Sequence, residues 1–440
     1  MNKMDTPICD FVRRYAESKT LRLHMPGHKG IGLIGCEQLD ITEVAGADSL
    51  YEAEGIIAES EHNASTLFGC PTFYSTEGSS QCIRAMLHLA TCGTNKKVAA
   101  ARNVHKAFLS AAALLDLEVD WLYPENDGAY LCCDIEPEKL ERYFATCENI
   151  PAAVYVTSPD YLGNILPIDR LAEVCHRHGA LLLVDNAHGA YLKFLPGSRH
   201  PMDKGADLCC DSAHKTLPVL TGGAYLHIRD AELAKQAKNA LALFGSTSPS
   251  YLILQSLDAA NRYITEGYPE KLAACAHAAE GSMVWLNAMG YVFRGNEPIK
   301  MTIAAKSYGY TGIEIAQHLR QNGIECEFAD PDFLVLMLTP AITQTDLERL
   351  EDVLTALPQR APILTAPPSI GRPEKVLSIR QALLSPSETI PVEESEGRIL
   401  AAASVGCPPA VPIVVCGEKI DENAIRCFRY YGIEAVSVVK

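Results

Sequence analysis

The stretch Asp211-Ser-Ala-His-Lys-Thr-Leu217, read with Val184-Asp-Asn-Ala-His-Gly-Ala190, decides the fold of this chain. Each sits on or follows a short apolar run of the kind that makes a buried strand. One offers Asp185 at a strand end, with His188 close behind it. The other offers Lys215 between His214 and Thr216, with Ser212 just ahead. A lysine amine held near a carboxylate at the edge of a parallel sheet suits a Schiff base to pyridoxal phosphate (PLP). The Lys215 amine would form the imine. Asp185 would keep the pyridine nitrogen protonated, which makes the ring an electron sink.

Outward from these two segments, strands and helices alternate. Strands are predicted at 72–76, 98–101, 118–122, 152–157, 180–185, 207–212 and 224–228. Helices are predicted at 6–18, 56–68, 81–91, 105–115, 136–144 and 168–178. Apolar strands interleaved with helices predict an α/β fold, a mainly parallel sheet with helices on both faces. Ligands in such sheets bind at the carboxyl ends of the strands. Gly78, His105, Asp185 and Lys215 all lie near such ends, so one crevice would hold them.

After about Tyr263 the pattern changes. A long helix (269–289) leads to strand-like runs at 290–293, 299–303, 324–328 and 333–338, with helices at 312–321 and 343–357. This predicts a smaller α+β domain. A proline-rich stretch, 361–373, reads as a linker before a last segment with a short strand at 411–416. The expected division is an N-terminal helix and arm (1–55), a large PLP-binding domain (56–265), a small α+β domain (266–360), and a linker with a C-terminal segment (361–440).

Composition narrows the function. A chain of 440 residues with 48% apolar residues is globular, and its net charge of −16 argues against nucleic acid and anionic membranes as partners. No apolar run is long enough to span a bilayer. The opening residues lead into a charged helical pattern, not a signal-peptide core. Cysteine is abundant, yet no CxxC occurs, so no metal site is indicated. Reduced thiols in a cytoplasm are the expectation.

Around the two leading segments stand weaker signals. Glu77-Gly-Ser-Ser80 opens a helix, where backbone N–H groups and two hydroxyls suit a phosphate; as a lone motif it is more often an ordinary N-cap. Ala187 is small enough for a ring to lie over it, and His188 would reach the phenolic oxygen of PLP. Ser212 would add a phosphate hydrogen bond. His105 is by default a satisfied structural histidine; its sharper reading is a ring stacked on the pyridine.

With these residues assembled, the chain resembles the Orn/Lys/Arg decarboxylase family of fold-type I PLP enzymes, and within it the short bacterial arginine/lysine/ornithine decarboxylase group. The resemblance covers most of the chain. It rests on Leu23-His-Met-Pro-Gly-His-Lys-Gly30, Asp40-Ile-Thr-Glu43, Asn103-Val-His-Lys106, Asp185-Asn-Ala-His-Gly189, Ser212-Ala-His-Lys-Thr-Leu217 and Ser246-Thr-Ser-Pro-Ser-Tyr251. It implies Lys215 as the Schiff-base lysine, Asp185 as the partner of the ring nitrogen and His105 as the stacking ring. Gly78, Ser79, Ser80 and Ser212 become phosphate contacts, and His214 lies beside the imine. Ser246 and Thr247 are expected to reach a neighbouring subunit's phosphate, making a homodimer the catalytic unit. The implied activity is decarboxylation of a basic L-amino acid, in a cytoplasmic enzyme of polyamine biosynthesis.

Two departures stand out. Asn186 takes a position where the family commonly carries an acid. Near the end, Cys407-Pro-Pro-Ala-Val-Pro412 and Cys416-Gly-Glu418 replace the family's Tyr-Pro-Pro-Gly-Ile-Pro and Pro-Gly-Glu. Glu418 is retained, and it is the candidate partner for the substrate's distal cation. The alternatives are an aminotransferase or lyase on the same fold, for which Arg294 or Arg380 would clamp the α-carboxylate, and a non-catalytic family member.

Overall fold

The computed structural model describes residues 4–93, 95–124, 130–403 and 410–440. Thirteen strands follow one another among the described residues. They are β1 (Thr72–Ser75), β2 (Lys97–Ala101), β3 (Glu118–Leu122), β4 (Ala153–Thr157), β5 (Leu181–Asp185), β6 (Leu208–Asp211), β7 (Ala224–Ile228), β8 (Phe293–Arg294), β9 (Lys300–Ala304), β10 (Phe328–Ala329), β11 (Phe333–Met337), β12 (Ser387–Pro391) and β13 (Ala435–Val439). The chain divides into two compact units, Met1–Asn95 with Ile168–Glu270, and Lys96–Pro167 with Lys271–Lys440.

In the first unit the strand order is β1-β7-β6-β5. β5 and β6 run parallel, with Val184 opposite Cys209 and Asp185 opposite Cys210. β7 is antiparallel to both β6 and β1. Every residue of β6 and β7 is buried, the polar Asp211 and His227 among the apolar side chains included. The helix Gly78–Ala90 packs on β5, β6 and β7. It buries Cys82, Ile83, Ala85, Met86, Leu87 and Leu89, each large side chain contributing roughly 1.5–3 kcal/mol. The helix Tyr251–Thr265 also belongs to this unit and falls in a stretch given no element from the sequence.

In the second unit β4-β2-β3 form an all-parallel set. The helix Lys106–Leu115 connects β2 to β3. The four-stranded sheet β10-β11-β9-β8 is antiparallel throughout. Two of its helices, Gly312–Gln321 and Gln344–Thr355, begin with capping boxes from Thr311/Glu314 and Thr343/Asp346. The last piece pairs β12 with β13 and packs the helix Glu422–Tyr430 over a cluster that includes Leu400, Ile413, Val414, Phe428 and Val438.

Three local expectations change. The run 324–328 joins β11 only from Glu327: Gly323 turns at positive φ and the Ile324 N–H is spent on the Leu319 carbonyl at the end of the preceding helix. At the other β-hairpin edge, 290–293 contributes only Phe293 to β8. The run 411–416 is buried but is not a strand: the Pro412 and Ile413 carbonyls accept from the Arg102 guanidinium instead of a neighbouring ladder. Residues 407–409 of the altered segment lie outside the described residues. Among the described residues no helix is long and apolar enough to cross a membrane.

Candidate active site

The parallel register brings the ends of β5 and β6 side by side. Asp185 closes β5 and is buried. Its Oδ1 accepts from the Ala187 N–H at 3.1 Å and from the Cys210 thiol at 3.7 Å. The turn is completed by the Gly189 N–H on the Asn186 carbonyl. Beyond β6, Ser212 leads into the single-turn helix Ala213–Thr216, which carries His214 and Lys215. Lys215 Nζ lies 2.8 Å from His188 Nε2. A contact that short needs one of the two nitrogens to accept, so ammonium and imidazolium do not coexist there.

Gly222 explains how this turn closes. Its φ is +101°, and a Cβ there would meet the Thr76 carbonyl oxygen at 2.9 Å. Its own carbonyl accepts from Gly78 N–H at 2.7 Å. Gly223 O receives the His214 N–H at 3.2 Å and faces His214 Nδ1 at 3.1 Å. The segment after Lys215 is thereby fastened to the start of the helix Gly78–Ala90. There Ser212 Oγ meets Ser79 Oγ at 2.8 Å. Gly78 has positive φ and open space where a Cβ would stand. Ser79 and Ser80 are half-buried on the first turn.

These residues fit PLP. The cradle at Gly78, with helix N–H groups and the Ser79–Ser212 hydroxyl pair, has the donor chemistry for a phosphate. Asp185 is a buried carboxylate at the neighbouring strand end, and Lys215 is an amine held by an imidazole. Ala187 is half-buried between Asp185 and His188. Ser246 and Thr247 are exposed, and the Ser246 N–H donates to the Glu77 carboxylate beside the cradle.

His105 belongs to the second unit. Its Nδ1 accepts from Ala107 N–H at 3.2 Å and caps the helix Lys106–Leu115. Glu418 is also there, 3% exposed. Its Oε2 accepts from Arg102 at 3.0 Å and from Val415 N–H at 2.7 Å. It is the internal counter-ion of a buried guanidinium, so meeting a substrate cation would require it to share or leave Arg102. Arg380 donates to the Ala113 and Leu114 carbonyls at a helix end, and Arg294 is exposed on β8.

Sequence reasoning missed a buried cluster behind the site. Asp211 Oδ2 accepts from His200 Nε2 and His227 Nε2, each at 3.0 Å, and all three side chains are fully buried. Asp211 Oδ1 accepts from Asn186 Nδ2 at 2.6 Å. His200, Cys209 and Asp211 have the atom types of a metal site. The tautomer decides otherwise. His200 Nδ1 accepts from Met202 N–H, so its proton sits on Nε2 and points at Asp211. His227 Nε2 donates to Asp211, and its Nδ1 meets the Thr72 hydroxyl at 2.9 Å, which also reaches the Cys70 carbonyl. Burial pushes its proton affinity down, but the Asp211 charge and hydrogen bond outweigh this and the net shift is upward. Burial likewise disfavours the Asp211 anion, and the two histidines reverse that, holding it well below the usual carboxylate range. The signal in the sequence was a histidine inside β7, a strand otherwise apolar and wholly buried.

Comparisons with known proteins identify the family and the fold. The Orn/Lys/Arg decarboxylase major-domain model matches residues 6–279, and the C-terminal-domain model of the same family matches 373–436. Arginine decarboxylase of Bacillus subtilis (strain 168) is 31% identical over 461 aligned positions, covering 97% of this chain and 93% of that protein. Arginine decarboxylase of Halalkalibacterium halodurans is 30% identical, covering 96% and 93%. Among solved structures, the Francisella novicida lysine decarboxylase LdcF superposes with a TM-score of 0.81 at 16% identity, covering 99% of this chain and 81% of that one. Lysine decarboxylase A from Pseudomonas aeruginosa gives 0.81 at 17%, covering 99% and 80%. At such identities the structural likeness establishes the fold-type I architecture.

Proposed function

This chain belongs to the Orn/Lys/Arg decarboxylase family, and from that premise we propose that it is a homodimeric, cytoplasmic enzyme acting on L-arginine. As a member it is a PLP-dependent decarboxylase of basic amino acids. Support for arginine comes from the full-length relatives named arginine decarboxylase. Support for the homodimer comes from an apolar arm: Leu21, Leu23, Met25, Ile31, Leu33 and Ile34 are 66–87% exposed. Ser246 and Thr247, expected to serve a neighbouring subunit, are exposed as well. Free thiols at the described cysteines suit a reducing compartment.

The observation that carries the site is the Lys215–His188 contact at the end of β6, beside the buried Asp185. PLP supplies an electron sink for the pair of electrons left when the α-carboxylate departs. Asp185 would secure the proton on the ring nitrogen. Gly78, Ser79, Ser80 and Ser212 would hold the phosphate. His188 orients the Lys215 amine, and His105 would stack on the ring. Lys215 or His214 would return a proton to the substrate α-carbon. The protein contributes mainly orientation and fixed electrostatics.

The test is a panel of arginine, lysine and ornithine scored for carbon dioxide and for agmatine, cadaverine and putrescine. Arginine should give carbon dioxide and agmatine in equal amounts, and Lys215→Ala should give neither. A keto acid in place of the amine would mean an aminotransferase. Cadaverine as the main product would move the substrate to lysine.

A further inference from the structure

We propose that Asn186 and Asp211 are a positioning pair that locks the turn bearing Asp185 to the turn bearing Lys215. The inference deepens the PLP-site reading above and rests on it.

Asn186 follows Asp185 in the chain, and Asp211 precedes Ser212. The Asn186 N–H bonds the Cys210 carbonyl at 3.0 Å, continuing the β5–β6 register by one step. At that point the two side chains meet, Asn186 Nδ2 donating to Asp211 Oδ1 at 2.6 Å. Both residues are 0% exposed. On one side the pair leads through Asp185 Oδ1 and Ala187 N–H to His188, which holds the Lys215 amine. On the other it leads through Ser212, whose carbonyl accepts the Lys215 N–H at 3.0 Å and whose hydroxyl meets Ser79. Each end of the hydrogen bond is thus one residue from a group assigned to the cofactor. A shift across the pair would change the separation of Asp185 and Lys215.

The donors around Asp211 leave one chemistry for position 186. Asp211 Oδ2 is taken by both histidines. Oδ1 is faced by Asn186 and, at 3.8 Å, by the Cys209 thiol. A carboxylate at 186 would put two anions against each other in a place closed to solvent. An amide donates there and stays neutral. A buried acceptor deprived of its donor loses its compensation for desolvation.

The two side chains can exchange roles, which provides the test. In Asn186→Asp two carboxylates face each other. In Asp211→Asn, Asn186 can flip its otherwise unpartnered Oδ1 toward the new NH2, so the pair survives and what is lost is the charge facing the two histidines. In the double variant the amide oxygen at 211 still receives both histidines, and its NH2 donates to the carboxylate at 186. Asn186→Asp should weaken PLP retention by the holoenzyme, read from visible absorbance on dilution, by about tenfold or more, and should lower kcat more than it raises KM. The double variant should return to within about threefold of wild type. Asn186→Ala provides a folded control if Asn186→Asp does not accumulate, and should lose PLP measurably faster than wild type. A purely structural pair would lower the melting temperature while leaving PLP retention and kcat at wild-type values, and that result, or a double variant no better than the worse single one, overturns the proposal. Borohydride reduction of the wild-type holoenzyme separates the two levels. A pyridoxyl label away from Lys215 overturns the site reading and this inference with it. A label on Lys215 with no rescue in the double variant overturns the pair alone.

Discussion

Asp185 concentrates the electrostatic demand of the site. A carboxylate buried to 1% exposure is costly unless it is compensated, and the Ala187 N–H and the Cys210 thiol supply part of that compensation. Its assigned task is to keep a proton on the ring nitrogen, which a neutral amide does poorly. Asp185→Asn should therefore retain PLP while kcat falls by about two orders of magnitude or more. Stopped-flow turnover with arginine measures this, and near-normal turnover would place the nitrogen's partner elsewhere. The departure at Asn186 becomes intelligible beside Asp211: with an anion already at the end of β6, the neighbouring position takes a donor.

The segments that reach these residues carry their own thermodynamic signatures. Residues 410–418 hold the end of β2 in the second unit. Arg102 donates to the Pro412 and Ile413 carbonyls and to Glu418, while Lys106 N–H bonds the Ala410 carbonyl next to His105. Removing one charge of a buried pair strands the other. Glu418→Gln should cost about 3 kcal/mol of stability, seen as a lower melting temperature, with KM for arginine little changed. A raised KM at wild-type melting temperature would return Glu418 to the substrate's distal cation. The β6–β7 pair carries a pH signature. His227 binds its proton more tightly folded than unfolded, so its contribution is complete below about pH 6.5 and declines as pH rises through the folded value. Asp211 is shifted the opposite way, so its contribution is present above about pH 4 and lost on acidification. Denaturant titrations from pH 6.5 upward should show an alkaline decline of at most about 1.4 kcal/mol per pH unit from this proton, and His227→Gln should lack that component. Parallel pH curves for the two proteins would mean that His227 is neutral in the fold.

For the assembled protein, the arm is the feature a single chain leaves unexplained. Six apolar side chains between Leu21 and Ile34 face solvent, next to the sequence Pro26-Gly-His-Lys-Gly30. A second copy of the chain is the occupant favoured here, because Ser246 and Thr247 are exposed beside the phosphate cradle. Light scattering should give twice the 47.8 kDa chain mass. Leu33→Glu with Ile34→Glu should shift the mass toward one chain and reduce PLP retention together. A monomeric wild type with full activity would remove the dimer from the reading.

What the sequence determined by itself was the α/β alternation, the helix Ile56–Phe68, the strands Glu118–Leu122 and Ala224–Ile228, and the placement of Asp185 at the end of one strand and Lys215 just beyond another. These follow from local causes: apolar runs of strand length, helical periodicity, and chemistry-bearing residues at the ends of both. Tertiary structure decided the rest. An apolar run at 411–416 is as suitable for a strand as for a buried loop, and only Arg102, arriving from far away in sequence, settles where its carbonyls go. Glu418 reads as a free acid until its buried counter-ion is known. The same holds for Asn186, Asp211, His200 and His227. Their donor and acceptor roles depend on partners brought together from β5, β6, β7 and the turn before β6, and no spacing along the chain encodes them.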